Sequence, residues 1–92
     1  MIVIDMMKRN TLLDLITSSE YIYINTHLSK KEFFDILDFA KNNCFIINES
    51  KKEDAYEYKY ELEFIYNSKA ILLKHFKSYT SDEEYFLLRC EK

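Results

Sequence analysis

Residues 55–66, with the sequence AYEYKYELEFIY, alternate between apolar and charged side chains over most of their length. A period of two is typical of a β-strand, whose successive side chains point to opposite faces of a sheet. The stretch therefore predicts one strand with an apolar face and a charged face. The apolar stripe is formed by Tyr56, Tyr58, Tyr60, Leu62, Phe64 and Tyr66.

The residues that follow this strand predict a three-stranded antiparallel meander. Two more apolar stretches, AILLKHFKSY and EYFLLRC, come after it, separated from it and from each other by the polar breaks NSK and TSDE. A two-residue loop at Asn67 and Ser68 would place Leu62 opposite Leu73, Phe64 opposite Ile71 and Glu61 opposite Lys74. We prefer this register because a three-residue loop would set Leu62 against Lys74 and Glu63 against Leu73.

The clearest helix signal lies at residues 29–43. Ser29 and Glu32 have the spacing of a capping box, and Leu28 and Phe33 stand where a hydrophobic staple would close. One buried face is predicted from the i, i+3, i+4, i+7 spacing of apolar residues. Its members are Phe33, Ile36, Leu37 and Ala40. Asn42 and Asn43 are expected to end the helix in the place that glycine usually takes.

Short apolar stretches flank this helix at residues 20–25 (EYIYIN) and 44–48 (CFIIN), and both predict strands. Strand, helix and strand in this order predict a parallel pair. Before them, residues 11–19 (TLLDLITSS) look helical, with Thr11 and Asp14 spaced like a weak cap, and we expect one helix from about Asp5. Residues 1–5 (MIVID) are compatible with either a strand or the start of that helix.

Together these elements predict an α+β fold in a single domain, residues 1–92, with two helices packed on a mixed or antiparallel sheet of about five strands. The predicted order is α-β-α-β-β-β-β. The chain contains neither glycine nor proline, so turns that need positive φ are expected to use Asn or Asp. The missing glycine also excludes the glycine-rich loops that hold nucleotide phosphates in P-loop and dinucleotide-binding proteins.

The charge balance argues against direct nucleic-acid binding. Thirteen basic and sixteen acidic residues give a net charge of −3, whereas nucleic-acid-binding domains usually carry a basic excess. No apolar stretch approaches the roughly 20 residues of a membrane span, so no membrane partner is expected. The two cysteines, in a chain without a recognisable signal peptide, predict a cytoplasmic protein with reduced thiols.

The apolar stripe changes character along its length. Near the turn it is core, but towards its other end Tyr56, Tyr58 and Tyr60 are expected to face Tyr79, Lys77 and His75, in that order. One interpretation is that these tyrosines lie half-buried under a helix with their hydroxyls in water. The other is a contact surface, because tyrosine supplies a large rigid area at a low entropic cost.

The opposite face of the same strand is acidic, but it also carries apolar residues from the meander. We expect Ile65, Leu72 and Phe76 either to be covered by the amino-terminal helix or to form an exposed patch that binds a partner, including a second copy of the chain. The predicted partner-binding residues from both faces are Tyr56, Tyr58, Tyr60, His75, Lys77, Tyr79, Glu57, Glu61 and Glu63.

No pattern predicts a metal, a cofactor or catalysis. His27, Cys44, His75 and Cys90 are residue types that bind zinc, but they lack the close pairs of structural zinc sites, and both cysteines are expected to be buried and inert. A Cys–His nucleophilic pair would also need an activating group, and the sequence marks none. We therefore expect no metal, no cofactor and no enzymatic activity.

In its small size, lack of glycine and richness in tyrosine and charge, the chain is similar to small phage or mobile-element proteins that inhibit host machinery. This resemblance implies a non-enzymatic inhibitor or adaptor that covers a surface of a host protein or defence complex, including one that processes nucleic acid. The alternative is a small nucleic-acid-binding regulator, since tyrosines interleaved with lysine on a sheet can stack on bases.

Overall fold

The computed structural model describes residues 8–91, and within them the predicted α+β class and element order are confirmed. The elements are α1 (Thr11–Thr17), β1 (Tyr23–His27), α2 (Lys30–Asn43), β2 (Phe45–Glu53), β3 (Glu57–Tyr66), β4 (Lys69–Ser78) and β5 (Glu84–Glu91). No helix among these residues is long and apolar enough to cross a bilayer.

The five strands form one sheet in the order β1-β5-β4-β3-β2, and every neighbouring pair is antiparallel. The predicted parallel pairing of the strands that flank α2 is wrong. β1 and β2 run in the same direction, but they lie at opposite edges with the whole meander between them. The reason is that β2 continues directly into the antiparallel meander through β3, whereas β1 joins the far side of the meander beside β5.

The hairpin between β3 and β4 has the predicted register. Leu62 lies opposite Leu73, and Glu61 lies opposite Lys74. Asn67 and Ser68 have φ values of 51° and 64°, the positive values at both central positions that a type I′ two-residue hairpin loop requires. Asparagine was the expected residue type there, whereas serine was not.

Helix α2 begins as predicted. The Ser29 hydroxyl accepts a 3.1 Å hydrogen bond from the Glu32 amide, and the Glu32 carboxylate accepts a 2.9 Å bond from the Ser29 amide. The helix also ends at the predicted asparagines, but by a different mechanism. Cys44 caps it in an extended conformation and donates to the Ala40 carbonyl at 2.9 Å, so no left-handed asparagine is involved.

The boundaries of three other elements differ from the predictions by three residues or more. α1 starts at Thr11, because the Asn10 side chain caps it by accepting from the Leu13 amide at 3.0 Å, and residues 8–10 are not helical. Asp5 and the question of residues 1–5 lie outside the described residues. β1 starts three residues later than predicted, and β2 extends to Glu53 because it pairs along most of β3.

Both helices pack on one face of the sheet. Leu13 of α1 and Phe33 of α2 belong to the same buried cluster as Leu62, Phe64 and Leu73 of the sheet. Each fully buried side chain of this size stabilises the fold by about 1.5–3 kcal/mol. The other face of the sheet, here called the open face, is covered by no helix or strand of residues 8–91.

Candidate partner-binding surface

The apolar stripe of β3 passes from core to surface, and the position of α2 decides where. Tyr60, Leu62, Phe64 and Tyr66 are all buried. α2 begins close to Phe86, because the Leu28 amide just before it donates to the Phe86 carbonyl at 2.8 Å. The next row of the sheet, in which Tyr58 lies opposite Lys77, is therefore beyond the start of the helix.

Two of the predicted binding residues lie beneath α2 rather than on the surface. The Tyr60 hydroxyl donates to the Glu49 carboxylate, and burial raises the pKa of Tyr60 well above its usual value. The His75 ring stacks on Phe86 with centroids 4.3 Å apart and meets Phe33 edge-on at 5.7 Å. Only 14% of the His75 side chain is exposed. Both residues therefore belong to the packing beneath the helix and not to an exposed binding surface.

Beyond the helix, four residues form a surface here called the tyrosine end: Tyr56, Tyr58, Lys77 and Tyr79. Tyr56 is 68% exposed and Tyr79 is 45% exposed, whereas Tyr58 is half-buried against the core. The Tyr79 amide donates to the Tyr56 carbonyl at 2.7 Å, which joins the ends of the two strands. The structure thus brings together four of the six residues predicted on this face and places the other two beneath the helix.

Contacts from β2 and from the following turn hold the tyrosines in place. The Tyr79 hydroxyl donates to the Glu53 carboxylate, and the Lys51 ammonium lies 5.8 Å from the centre of the Tyr58 ring. The Asp54 carboxylate accepts from the Tyr56 amide at 2.7 Å and from the next amide at 2.9 Å. These backbone hydrogen bonds hold the pKa of Asp54 below its usual value. These contacts hold the rings of Tyr58 and Tyr79 and the backbone of Tyr56.

Charges of both signs border the tyrosine end. Lys77 within the surface and Lys30 and Lys51 beside it are basic, whereas Glu53, Asp54 and Glu84 beside it are acidic. Glu84 also lies 2.8 Å from the Nε2 of His75, and this hydrogen bond lowers the pKa of Glu84. The surface is therefore amphipathic without an excess of either charge.

The three glutamates predicted as binding residues, Glu57, Glu61 and Glu63, lie on the open face instead. The nine predicted residues thus do not form one surface. Lys59 pairs with Glu57 at 3.1 Å and Lys74 pairs with Glu61 at 3.8 Å. Along one end of this face runs a depression of about 250 Å³ that is lined mainly by polar side chains.

Ile65, Leu72 and Phe76 also lie on the open face, and each is partly exposed. α1 does not cover them, because it packs on the other face through Leu13 and Ile16. Of the two alternatives for these residues, shielding by this helix is therefore wrong. The charged pairs beside them give the open face a mixed character, which an antiparallel sheet tolerates on its solvated side.

A second exposed surface, which sequence reasoning missed, lies beside β1. Tyr21 is 74% exposed and Ile22 is 76% exposed, and Leu15 of α1 and Tyr23 are exposed as well. The available signal was the sequence YIYI at residues 21–24, which lacks strict alternation. A strand at the edge of a two-layer fold cannot bury apolar residues on both of its faces, so some of them stay in water.

Among residues 8–91, the metal-binding residue types are not grouped as a metal site, and the surroundings of Cys44 disfavour a reactive thiol. Cys90 is buried in the core as expected, whereas Cys44 is only partly buried. Partial burial still raises the pKa of the Cys44 thiol, which disfavours the thiolate. Within residues 8–91, no three His, Cys, Asp or Glu side chains are grouped so that they could hold a metal ion.

Comparison with known proteins finds no matching family model, no similar curated protein and no similar solved structure. The function of the chain is therefore inferred from the geometry of the surfaces described above.

Proposed function

We propose that this protein is a non-enzymatic binding protein that recognises another protein through the tyrosine end. The observation that carries the proposal is the exposure of Tyr56 and Tyr79 at the end of the sheet where the β2–β3 and β4–β5 turns lie. Tyr79, whose hydroxyl is already held by Glu53, loses little side-chain entropy when a partner covers it, and both tyrosines can bury a large area. Tyrosine is also enriched among the residues that dominate protein–protein affinity.

The charges around the tyrosine end favour a protein partner over nucleic acid. Phosphate binding requires a local excess of Lys or Arg, but Lys51 and Lys77 are offset by Glu53 and Glu84. The net charge of −3 adds a weak repulsion at longer range. The nucleic-acid-binding regulator is therefore the less supported alternative.

In this proposal the protein acts as an inhibitor or adaptor from a phage or another mobile element, and it covers a surface of a host protein or defence complex in the host cytoplasm. The small size and the composition of the chain support this role. The raised pKa of the Cys44 thiol is compatible with a compartment in which thiols stay reduced. The open face is the weaker candidate for a contact between two copies, because its charged side chains already pair with one another.

Quantitative capture from a lysate of a low-GC bacterium tests this function. The baits are the wild-type chain, the double variant Tyr56→Ala/Tyr79→Ala, and Phe45→Ala as a matched control. Phe45 is an aromatic residue with 72% exposure at the opposite end of the sheet. We expect mass spectrometry to find one protein or complex with the wild type and the control, at least about tenfold depleted with the double variant. Equal capture by all three baits would contradict the proposal, and so would no specific capture by the wild type.

A further inference from the structure

The hydrogen bonds between β1 and β5 show which backbone groups of β1 point away from the sheet. β1 is an edge strand whose neighbour is β5. The Leu28 amide donates to the Phe86 carbonyl of β5, and hydrogen-bonding direction alternates along an antiparallel strand. Ile24 and Thr26 therefore face β5, whereas Tyr23, Asn25 and His27 direct their amides and carbonyls outward, where no described strand lies.

The two edges of the sheet are protected very differently. β2 carries a bulge between Ile46 and Asn48 and the lysines Lys51 and Lys52, which are features that prevent edge pairing in native proteins. β1 has the sequence YINTH, with no lysine, no proline and an uninterrupted register against β5. An edge without such protection is a template for another strand.

We propose that the free edge of β1 binds a second copy of this chain, with the two β1 strands antiparallel about a twofold axis at Asn25. In this register, Asn25 faces Asn25 of the second copy, and Tyr23 faces His27 of the second copy. All three outward-facing residues then form hydrogen-bonded pairs, and the two five-stranded sheets become one.

Charge complementarity favours a second copy as the occupant. Residues 21–28 carry no acidic or basic side chain apart from His27, so two β1 strands meet without repulsion between formal charges at neutral pH. The same register brings exposed Glu20 of one copy towards exposed Lys30 of the other. The Asn25 side chain both donates and accepts, so it can pair with its own copy across the axis.

Amide hydrogen exchange of the full chain at micromolar and at submillimolar concentration tests this proposal. We expect the amides of Tyr23, Asn25 and His27 to exchange more slowly at the higher concentration, whereas those of Ile24 and Thr26 stay protected at both. Protection of the outward amides in a chain that sediments as a monomer would mean that the chain covers its own edge, and it would overturn the proposal. Rapid exchange of these amides at both concentrations would overturn it as well.

Substitutions on the β1 edge and on the open face distinguish where the two copies contact each other. Asn25→Lys adds a charge to the edge, and Asn25→Pro removes the outward amide but no hydrogen bond to β5. Sedimentation at submillimolar concentration is expected to show a dimer for the wild type and a monomer for both variants, with circular dichroism confirming that they fold. Leu72→Lys adds the same charge to the open face and should leave the dimer intact. Loss of the dimer in Leu72→Lys alone would move the interface to the open face and refute the proposal.

Discussion

The hydroxyl of Tyr66 donates a 2.7 Å hydrogen bond to the Asp14 carboxylate and accepts a 3.1 Å bond from the Asn10 amide. The last residue of the β3 stripe therefore holds both the cap and the first turn of α1. Asn67, in the adjoining turn, adds a 3.0 Å bond to the Thr17 hydroxyl at the other end of this helix. A helix of seven residues is unstable alone, so these contacts and the burial of Leu13 and Ile16 keep it formed.

Tyr66→Phe tests this attachment. The variant keeps the buried ring but loses the hydroxyl, so we expect a Tm several degrees lower at neutral pH. Tyr58→Phe, a change on the same face of β3, serves as the control and should leave the Tm nearly unchanged. Thermal melting followed by circular dichroism gives both values. Equal Tm values for the wild type and Tyr66→Phe would show that the hydroxyl does not stabilise α1.

The same contact predicts a pH dependence. The hydrogen bond from Tyr66 is the main reason why the pKa of Asp14 lies below its usual 3.8. A carboxylate with a depressed folded-state pKa stabilises the fold above the unfolded-state pKa, and this stabilisation is lost as pH falls through the folded-state value. The Tm difference between the wild type and Tyr66→Phe should therefore shrink below about pH 4. A difference that stays constant from neutral pH to pH 3 would contradict this assignment.

The cap and the buried face of α2 should contribute very different amounts to the free energy of unfolding. Ser29→Ala removes one side of the capping box and should cost about 1 kcal/mol of unfolding free energy. Phe33→Ala leaves a cavity beneath the helix and should cost about 3–5 kcal/mol. Urea unfolding measures both values. If neither variant changes the unfolding midpoint, the helix has been placed incorrectly.

The turn between β3 and β4 offers a stabilising substitution. Ser68 has a φ of 64°, a conformation that is unfavourable for a residue with a Cβ atom and free of that penalty for glycine. After the greater chain entropy of glycine is included, Ser68→Gly should stabilise the protein by about 0.5 kcal/mol. Ser81→Gly, in the loop between β4 and β5, is the control and should not stabilise. Urea unfolding that shows no gain for Ser68→Gly would contradict the turn geometry.

The meander could be predicted in detail because its determinants are local. Alternation in β3 and β4 and a two-residue loop are sufficient to place Leu62 opposite Leu73. The neighbours of β1 could not be predicted in this way. Its pairing with β5 joins residues more than fifty positions apart, and the strand-helix-strand order alone favoured a parallel pair that the antiparallel meander displaces.

The candidate surface was predicted in part for a related reason. The turn length places Tyr58 beside Lys77, and the sequence contains this information. How far α2 extends over the sheet depends on the contact between Leu28 and Phe86, which no local pattern reveals. This contact decides that Tyr60 and His75 are covered while Tyr56 and Tyr79 are exposed.

Direct nucleic-acid binding should be weak. At near-physiological salt, we expect labelled single- and double-stranded nucleic acid to bind no tighter than the non-specific range of roughly 10⁻⁴–10⁻⁶ M. The reason is that Glu53 and Glu84 offset the lysines of the tyrosine end. Fluorescence anisotropy over a salt series checks this. Submicromolar binding that weakens steeply with salt and disappears in Lys77→Glu would instead support the regulator.

The most direct test of the proposed function is a hydrogen-exchange footprint of the chain in complex with the protein that it captures. We expect slower exchange than in the unbound chain at residues 51–58 and 77–84, which include the tyrosine end and the charged residues beside it. Residues 61–74, which include most of the open face of β3 and β4, should not change. Slower exchange confined to residues 61–74, with no change at the tyrosine end, would contradict the central claim that Tyr56 and Tyr79 form the binding surface.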